Sequence, residues 1–282
     1  MIRTMCQLFV VATAVLTVTA AADAALIAHY TFDVDNGGST PDAVGSNSAA
    51  LGNRVQINTT VSGRIGAGAL EMLGQGETTG PGDGAVTSNS FSWSSDARTI
   101  TFWWRAKDPN VNTSDGTFVS FGTNAGDGTR FDVKEQQSSN LRVEVQGFGL
   151  DTNPTNFDDG NWHFVAVTVP NEAKFADIAW YAGVRGGTLS GDLNTSGNAL
   201  AIATGTGPLA FGDSILTVGT NDRVPNGYLD DFQLYDEVLT GEEISFLYNN
   251  PGSTTADIPE PASLALLATA LLGLLGLRRR KR

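Results

Sequence analysis

Acidic side chains that could bind a hard cation occur near both ends of the body of the chain. Asp33 follows the first predicted strand, Asp42 comes soon after it, and Asp230 lies in the last predicted strand. Calcium prefers several carboxylate, amide and carbonyl oxygens supplied by loops. We therefore predict a calcium site at Asp33, Asp42 and Asp230. Ordinary turn chemistry is the alternative, because Asp and Asn are common in turns without a metal.

The residues that could act in catalysis are dispersed along the chain. A glycosidase needs two carboxylates placed across the scissile bond, whereas Glu71, Glu135 and Glu144 lie in separate predicted segments. His29 and His163 have no Ser, Cys or acid beside them in a triad-like motif. The sequence thus predicts a protein that is not an enzyme. A glycoside hydrolase or lyase with dispersed carboxylates is the alternative.

Tryptophans could provide a platform on which a sugar ring stacks. Trp93 lies in a Ser-rich segment, and we expect it to be the exposed one and a ligand-binding residue. Trp103 and Trp104 are adjacent on a predicted strand, where neighbouring side chains point to opposite faces. One of the two is therefore expected in the core, and the other outward or covered.

Composition excludes some classes of protein. The 282 residues include 30 Asp and Glu against 17 Lys and Arg, whereas binding to nucleic-acid phosphates needs clustered basic residues. Thirty-three Gly residues among many Ser, Thr, Asn and Asp favour short strands and turns over a helical bundle. We expect no nucleic-acid partner.

Alternating apolar and polar residues predict about ten strands. A capping box, Thr240-Gly241-Glu242-Glu243, predicts one helix after them. The expected fold is all-β, a two-sheet antiparallel jelly-roll sandwich with one short C-terminal helix. The predicted strands are Leu26–Phe32, Ala69–Leu73, Thr99–Arg105, Thr117–Phe121, Thr129–Lys134, Leu141–Gln146, Trp162–Val169, Ala176–Val184, Ser214–Val218 and Tyr228–Tyr235.

The N-terminus has the pattern of a secretory signal peptide. Arg3 precedes an apolar stretch that ends in Ala22-Asp23-Ala24, with small residues at the −3 and −1 positions. We predict that signal peptidase cleaves after Ala24; an uncleaved membrane anchor is the alternative. Cleavage there removes Cys6, the only cysteine, so the mature body would contain no disulfide.

The C-terminus combines Pro259-Glu260-Pro261, an apolar run over Leu264–Leu277 and five terminal basic residues. An apolar helix ending in cations is typical of a short membrane span with a cytoplasmic end. These parts in this order resemble the PEP-CTERM sorting signal. The resemblance implies processing near the triplet by an exosortase-like membrane protease. An ordinary tail anchor is the alternative.

Three blocks of the body resemble the laminin-G-like, concanavalin A-like jelly roll. They begin with the strand Leu26–Phe32 and its following turns, continue with Asn161–Thr168, and end with Gly227–Tyr235 and the closing helix. The resemblance implies that the first and last strands are neighbours, so that Asp33 could face Asp230. The segment Asn171–Gly212 departs from the pattern, because it is longer and richer in Gly.

Taken together, these features predict a signal peptide at 1–24, a jelly-roll domain at 25–250, a polar linker at 251–258 and a sorting signal with a transmembrane helix at 259–282. We expect an exported, non-enzymatic module, anchored in the cell envelope before processing and then placed on the cell surface or in the extracellular matrix. It would bind extracellular polysaccharide or serve adhesion in a biofilm. A purely structural matrix protein without a specific ligand is the alternative.

Overall fold

The computed structural model describes residues 24–74, 84–108, 116–136, 140–152, 156–215 and 224–259. Helix α1 spans Gly241–Asn249, and 3-10 turns span Phe175–Asp177 and Thr255–Asp257. The strands in chain order are β1 (Leu26–Tyr30), β2 (Ser39–Thr40), β3 (Ala49–Leu51), β4 (Val55–Asn58), β5 (Ala69–Met72), β6 (Ala85–Thr87), β7 (Arg98–Ala106), β8 (Gly116–Gly122), β9 (Arg130–Gln136), β10 (Asn140–Val145), β11 (Phe148–Thr152), β12 (His163–Val169), β13 (Ala179–Val184), β14 (Leu209–Phe211) and β15 (Gly227–Tyr235).

These strands form two antiparallel sheets. Sheet A has the order β13-β12-β7-β15-β5-β4, and β1 also pairs with β15. Sheet B has the order β11-β10-β9-β8-β14-β6-β3-β2. The predicted all-β sandwich is confirmed, as is the expected adjacency of the first and last strands.

The main core lies between the two sheets and consists of alternate residues from both inner faces. Strand β12 is buried along its whole length, as expected for its continuous apolar run. Trp104 joins the core between the sheets, whereas Trp103 belongs to a second apolar cluster. The prediction that the two tryptophans face opposite sides of the strand is confirmed.

Helix α1 covers the outer face of sheet A. Its N-terminus is the predicted capping box, since Thr240 N donates to Glu243 Oε2 at 2.6 Å and Glu243 N donates to Thr240 Oγ1 at 3.3 Å. Ile244, Leu247 and Tyr248 are buried, and the Tyr248 ring lies 6.0 Å from the Trp103 ring, measured between centroids. The apolar stripe of the helix thus closes one face of the sandwich.

The Gly-rich segment between β13 and β14 runs along the edge of the sandwich without long strands. Isolated bridges connect it to the body at three points: Phe91 with Gly207, Ser94 with Thr204 and Lys174 with Ala201. The predicted strand at Ser214–Val218 is wrong over its described part, because the strand lies earlier, at Leu209–Phe211. Leu209 and Phe211 are the side chains that fill the core there.

The predicted signal peptide, apart from Ala24, and the predicted C-terminal membrane helix lie outside the described residues. Within the parts of the chain that the structure describes, no helix is both long enough and apolar enough to cross a membrane.

Candidate functional site

Trp93 is buried, so its predicted exposure is wrong. Only 5% of the residue is accessible to solvent. Its ring stacks on Phe91 at 5.5 Å between centroids and contacts Phe121, while the Arg98 guanidinium lies 5.8 Å from the ring centre. The serines around Trp93 do not make the segment solvent-exposed, because the β-bridge between Ser94 and Thr204 holds the segment against the sandwich. Trp93 therefore offers no face on which a sugar could stack.

Asp33 and Asp230 hold the loop over residues 65–68. Ile65 N donates to Asp230 Oδ2 at 2.7 Å, and Gly68 N donates to Asp33 Oδ1 at 2.8 Å. Gly66 has a φ of +70°, and a Cβ there would lie 2.6 Å from Asp33 Oδ1, so the close approach requires glycine. Burial, together with the charges of Asp231 and Asp33, raises the pKa of Asp230 to about 9. The expected proximity of Asp33 and Asp230 is thus observed.

Asp42, the third predicted calcium ligand, makes a different set of contacts. Its Oδ1 accepts hydrogen bonds from His29 N at 3.0 Å and Val44 N at 3.1 Å. Asp33 and Asp230 likewise direct carboxylate oxygens at backbone amides. Among the described residues, no group of three or more acidic, His or Cys side chains is arranged to hold a metal ion. All three carboxylates accept hydrogen bonds from backbone amides, and calcium binding stays a prediction from the sequence.

The three glutamates considered for catalysis lie on different surfaces. Glu71 is on sheet A, where Lys107 Nζ lies 2.9 Å from its carboxylate. Glu135 is paired with Leu141 and Glu144 with Asp132 across β9 and β10, so Glu135 and Glu144 point to opposite faces of sheet B. Glu71, Glu135 and Glu144 therefore do not converge on one cleft.

A charged surface that the sequence reasoning missed occupies the outer face of sheet B. We call it the ion-pair face, and it combines three cations and three anions on neighbouring strands. The cross-strand register places Glu144 opposite Asp132, and Arg142 between Lys134 and Asp151. Its members are Arg130, Asp132, Lys134, Arg142, Glu144 and Asp151.

Glu144 is the centre of the ion-pair face. Its Oε2 lies 2.9 Å from Lys134 Nζ and 2.7 Å from Arg142 Nε, and its Oε1 accepts from Arg130. Arg142 also reaches Asp151, at 2.7 Å. Burial opposes ionisation of Glu144, but the charges and hydrogen bonds of Lys134 and Arg142 outweigh it and lower its pKa to about 2. Glu144 is therefore ionised at neutral pH.

Asp132 lies at the covered side of the ion-pair face. Burial raises its pKa, against the opposing effects of Arg130 and Ser120. Ser120 Oγ donates to Asp132 Oδ1 at 2.5 Å, and Ile215 N donates to Ser120 Oγ at 3.1 Å, so the chain after β14 crosses this side. Asp132 is 1% exposed. Its carboxylate pairs with Arg130, at 2.8 Å from Nε, and is not exposed to solvent.

The open side of the ion-pair face contains a cavity of about 320 Å³. Arg142 lines the cavity with 22% of its side chain exposed, and its partner Asp151, outside the lining, has 40% of its side chain exposed. Guanidinium groups only donate hydrogen bonds and carboxylates only accept them, so the walls offer both kinds of partner side by side. The cavity is lined by Arg130, Arg142 and residues 144–149. This arrangement can bind a molecule that both donates and accepts at adjacent positions.

The folded chain is a two-sheet antiparallel sandwich with one face covered by a helix and the other carrying charged groups. The family model described as the concanavalin A-like lectin/glucanases superfamily matches residues 79–245, more than half of the chain. The chain therefore belongs to this superfamily, in its laminin-G-like form. A search of curated proteins finds no match.

Solved structures share this fold at low sequence identity. One is domain 4 of an extracellular GH43 arabinanase from Geobacillus stearothermophilus in complex with arabinotriose, with 18% identity and a TM-score of 0.51, covering 80% of this chain and 98% of that chain. Others are binding domains of botulinum neurotoxin serotype G, at 16% identity and a TM-score of 0.51, and of Paraclostridial Mosquitocidal Protein 1, at 16% and 0.53. This chain, 79% of which is covered in each case, spans 50% and 52% of those two chains.

A second family model, the PEP-CTERM protein-sorting motif, matches residues 257–281. The predicted sorting signal is confirmed. It implies export, sorting to the cell surface through a membrane-anchored state, and processing by an exosortase-type membrane protease. Pro259 is the last described residue of the chain, and the rest of the triplet, Glu260 and Pro261, lies outside the described part.

Proposed function

We propose that the protein is a non-enzymatic, surface-displayed module that binds neutral oligosaccharides through the cavity of the ion-pair face. The observation that carries the proposal is the pairing of Arg142 with Glu144 in the lining of this cavity, where Arg142 is also held by Asp151 on the neighbouring strand. Each sugar hydroxyl is both a donor and an acceptor. Neighbouring hydroxyls can therefore bond to a guanidinium and a carboxylate at the same time.

The ion pairs also fix the side chains before a ligand arrives. Arg130 and Lys134 have 6% and 3% of their side chains exposed, and both contact Glu144. A site held in its bound geometry loses less side-chain entropy on binding. A rigid polar wall of this kind favours a ligand with fixed hydroxyl positions, such as a pyranose or furanose ring.

Charge favours a neutral sugar over an acidic one. The formal charges of the ion-pair face cancel, three against three, and the whole chain carries a net charge of −13. A strongly negative protein repels polyanions at long range. The arabinanase domain that shares the fold was solved with arabinotriose, a neutral sugar, and this supports the class of ligand.

The absence of catalysis is part of the proposal. Glu135 and Glu144 point to opposite faces of sheet B, and Asp132, which shares the face of Glu144, is buried and accepts a hydrogen bond from Ser120 on the neighbouring strand. A purely structural matrix protein is the rival, and a biofilm or extracellular matrix is the setting we propose for either.

A glycan array with the exported domain tests the proposal. We expect binding to neutral oligosaccharides and at least a tenfold loss of affinity in Arg142→Gln, because this change removes the shared donor at the cavity. Arg185→Gln is the matched control, since Arg185 is exposed and lies over Trp103 on the sheet A side. A flat array with folded protein, or unchanged binding by Arg142→Gln, would favour the structural rival.

A further inference from the structure

The segment after helix α1 continues the fold as an ordered strap. Ser253 N donates to Asn250 O at 3.0 Å as the chain leaves the helix. Thr254 N then donates to Asp257 Oδ2 at 2.8 Å, and Asp257 N donates to Thr254 O at 3.0 Å, so residues 254–257 form a closed turn. We call residues 251–257 the C-terminal strap.

Three side chains of β15 hold the C-terminal strap. Gly252 N donates to Asp231 Oδ2 at 2.9 Å, Gln233 Nε2 donates to Ser253 O at 2.8 Å, and Thr255 N donates to the Tyr235 hydroxyl at 3.4 Å. Asp231, Gln233 and Tyr235 are 5%, 1% and 0% exposed. The attachment therefore uses buried groups that would lose partners if the strap left.

A residue of β1, His29, also contacts one of the three side chains that hold the strap. His29 Nε2 lies 2.8 Å from Asp231 Oδ1, and the same oxygen accepts from Gln233 Nε2 at 2.9 Å. Gln233 Oε1 in turn accepts from the Tyr235 hydroxyl at 2.5 Å. The three residues that hold the strap are thus fixed to one another.

The C-terminal strap ends next to the processing triplet. Asp257 closes the 3-10 turn, and Pro259, two residues later, is the first residue of the triplet. Proteases cleave backbone that is exposed and can extend into the active site. Residues 254–257 cannot extend while they form the capped turn against β15.

We propose that the C-terminal strap is a latch that limits access of the exosortase-type protease to the triplet, so that processing proceeds from the minor state in which the strap has detached. When such opening is fast relative to cleavage, the rate of cleavage follows the population of the open state. The stability of the strap's attachment to the domain would then set how long the protein stays anchored before it is processed.

Gly252→Ala tests the latch in the full-length chain. Gly252 has a φ of +86°, and a Cβ there would meet Ile65 Cγ2 at 3.0 Å, so the variant should detach the strap without altering the core. Gly191→Ala is the matched control, because a Cβ at Gly191 meets nothing within 4 Å. In cells that contain the protease, pulse–chase labelling should show processing of Gly252→Ala at least fivefold faster than that of wild type, and no change for Gly191→Ala. Hydrogen exchange should become faster at residues 252–257 in Gly252→Ala only.

A spacer variant separates occlusion from a general effect on folding. An insertion of about eight Gly and Ser residues between Asp257 and Ile258 moves the triplet away from the attached strap. Processing should then be fast in wild type, and Gly252→Ala should add nothing. The proposal is overturned by a spacer that leaves processing of the wild type as slow as before, by an equal acceleration with and without the spacer, or by faster exchange at 252–257 without faster processing.

Discussion

His29 on the first strand and Asp231 on the last strand are joined by a contact of 2.8 Å between Nε2 and Oδ1. The two residues are 7% and 5% exposed, so the contact joins β1 to β15 at a buried position. Asp231 has a φ of +48°, in the left-handed region, next to an irregularity of β15 opposite β7. A bulge re-aims side chains, and here it accompanies the contacts of Asp230 with loop 65–68 and of Asp231 with His29.

A double-mutant cycle measures this link between the two ends of the domain. For His29→Ala and Asp231→Ala we expect a coupling of about 1–3 kcal/mol, the range for buried polar contacts. Urea denaturation of the wild type, both single variants and the double variant provides it. The same cycle with Glu242→Ala, at an exposed position of helix α1, should give a coupling near zero. Additive effects of His29 and Asp231 would contradict the structural role of the pair.

Glu135 predicts a specific pH dependence of stability. Burial, with the hydrogen bond and charge of Asp158, raises its pKa from 4.5 to about 10. Between these values the folded chain binds one more proton than the unfolded chain, so stability falls as the pH rises. Glu135→Gln should remove this fall, giving a stability gain over wild type that grows by at most about 1.4 kcal/mol per pH unit.

Unfolding experiments from pH 4 to pH 9 measure the gain. The exposed Glu242→Gln serves as the control and should follow wild type throughout. If the difference between Glu135→Gln and wild type is the same at every pH, Glu135 is already ionised in the folded protein.

Calcium binding at Asp33, Asp42 and Asp230 predicts a higher midpoint of thermal unfolding in calcium than in EDTA. A ligand that binds only the folded state at 100 times its Kd stabilises it by about 2.7 kcal/mol. Asp33→Asn should abolish the difference, whereas Glu242→Gln, at an exposed acid of helix α1, should preserve it. Identical midpoints in calcium and EDTA would remove the hypothesis.

Signal cleavage after Ala24 predicts a mature chain that begins with Ala25. Ala25 N lies 2.9 Å from Asp236 Oδ1, and Asp236 N donates to Ala25 O at 3.1 Å. The new α-ammonium would thus lie beside a carboxylate. Asp236→Asn should lower the stability of the mature protein by about 0.5–1 kcal/mol, as for exposed ion pairs, while Glu237→Gln should not. Intact mass of the exported protein fixes its first residue, and a different N-terminus would contradict the prediction.

The periodicity of the chain was enough to predict the fold class. Alternation of apolar and polar residues predicted strands such as β10, whose buried and half-buried residues alternate, and a continuous apolar run predicted β12, which is buried on both faces. The capping box at Thr240 located the helix. Local patterns were less informative where bridges or short strands form, as at Leu209–Phe211, since only a few residues there contact the core. The burial of Trp93 could not be predicted from local patterns either. It depends on Phe121 and on the bridge to Thr204, both distant in sequence, and on Phe91, which lies in an irregular segment.

The candidate site depended on the tertiary structure for a different reason. In the sequence, Arg130, Asp132, Lys134, Arg142 and Glu144 look like the solvent-facing half of two ordinary alternating strands. Only the register of β9 against β10 places Glu144 opposite Asp132 and among Lys134, Arg142 and Arg130. The sequence by itself determined the sandwich and the C-terminal sorting signal, because burial periodicity and sorting motifs are local. The register of β9 against β10, the bulge at Asp231 and the attachment of the C-terminal strap were decided by the tertiary structure, since each depends on which atoms of two paired segments meet and local periodicity does not specify that.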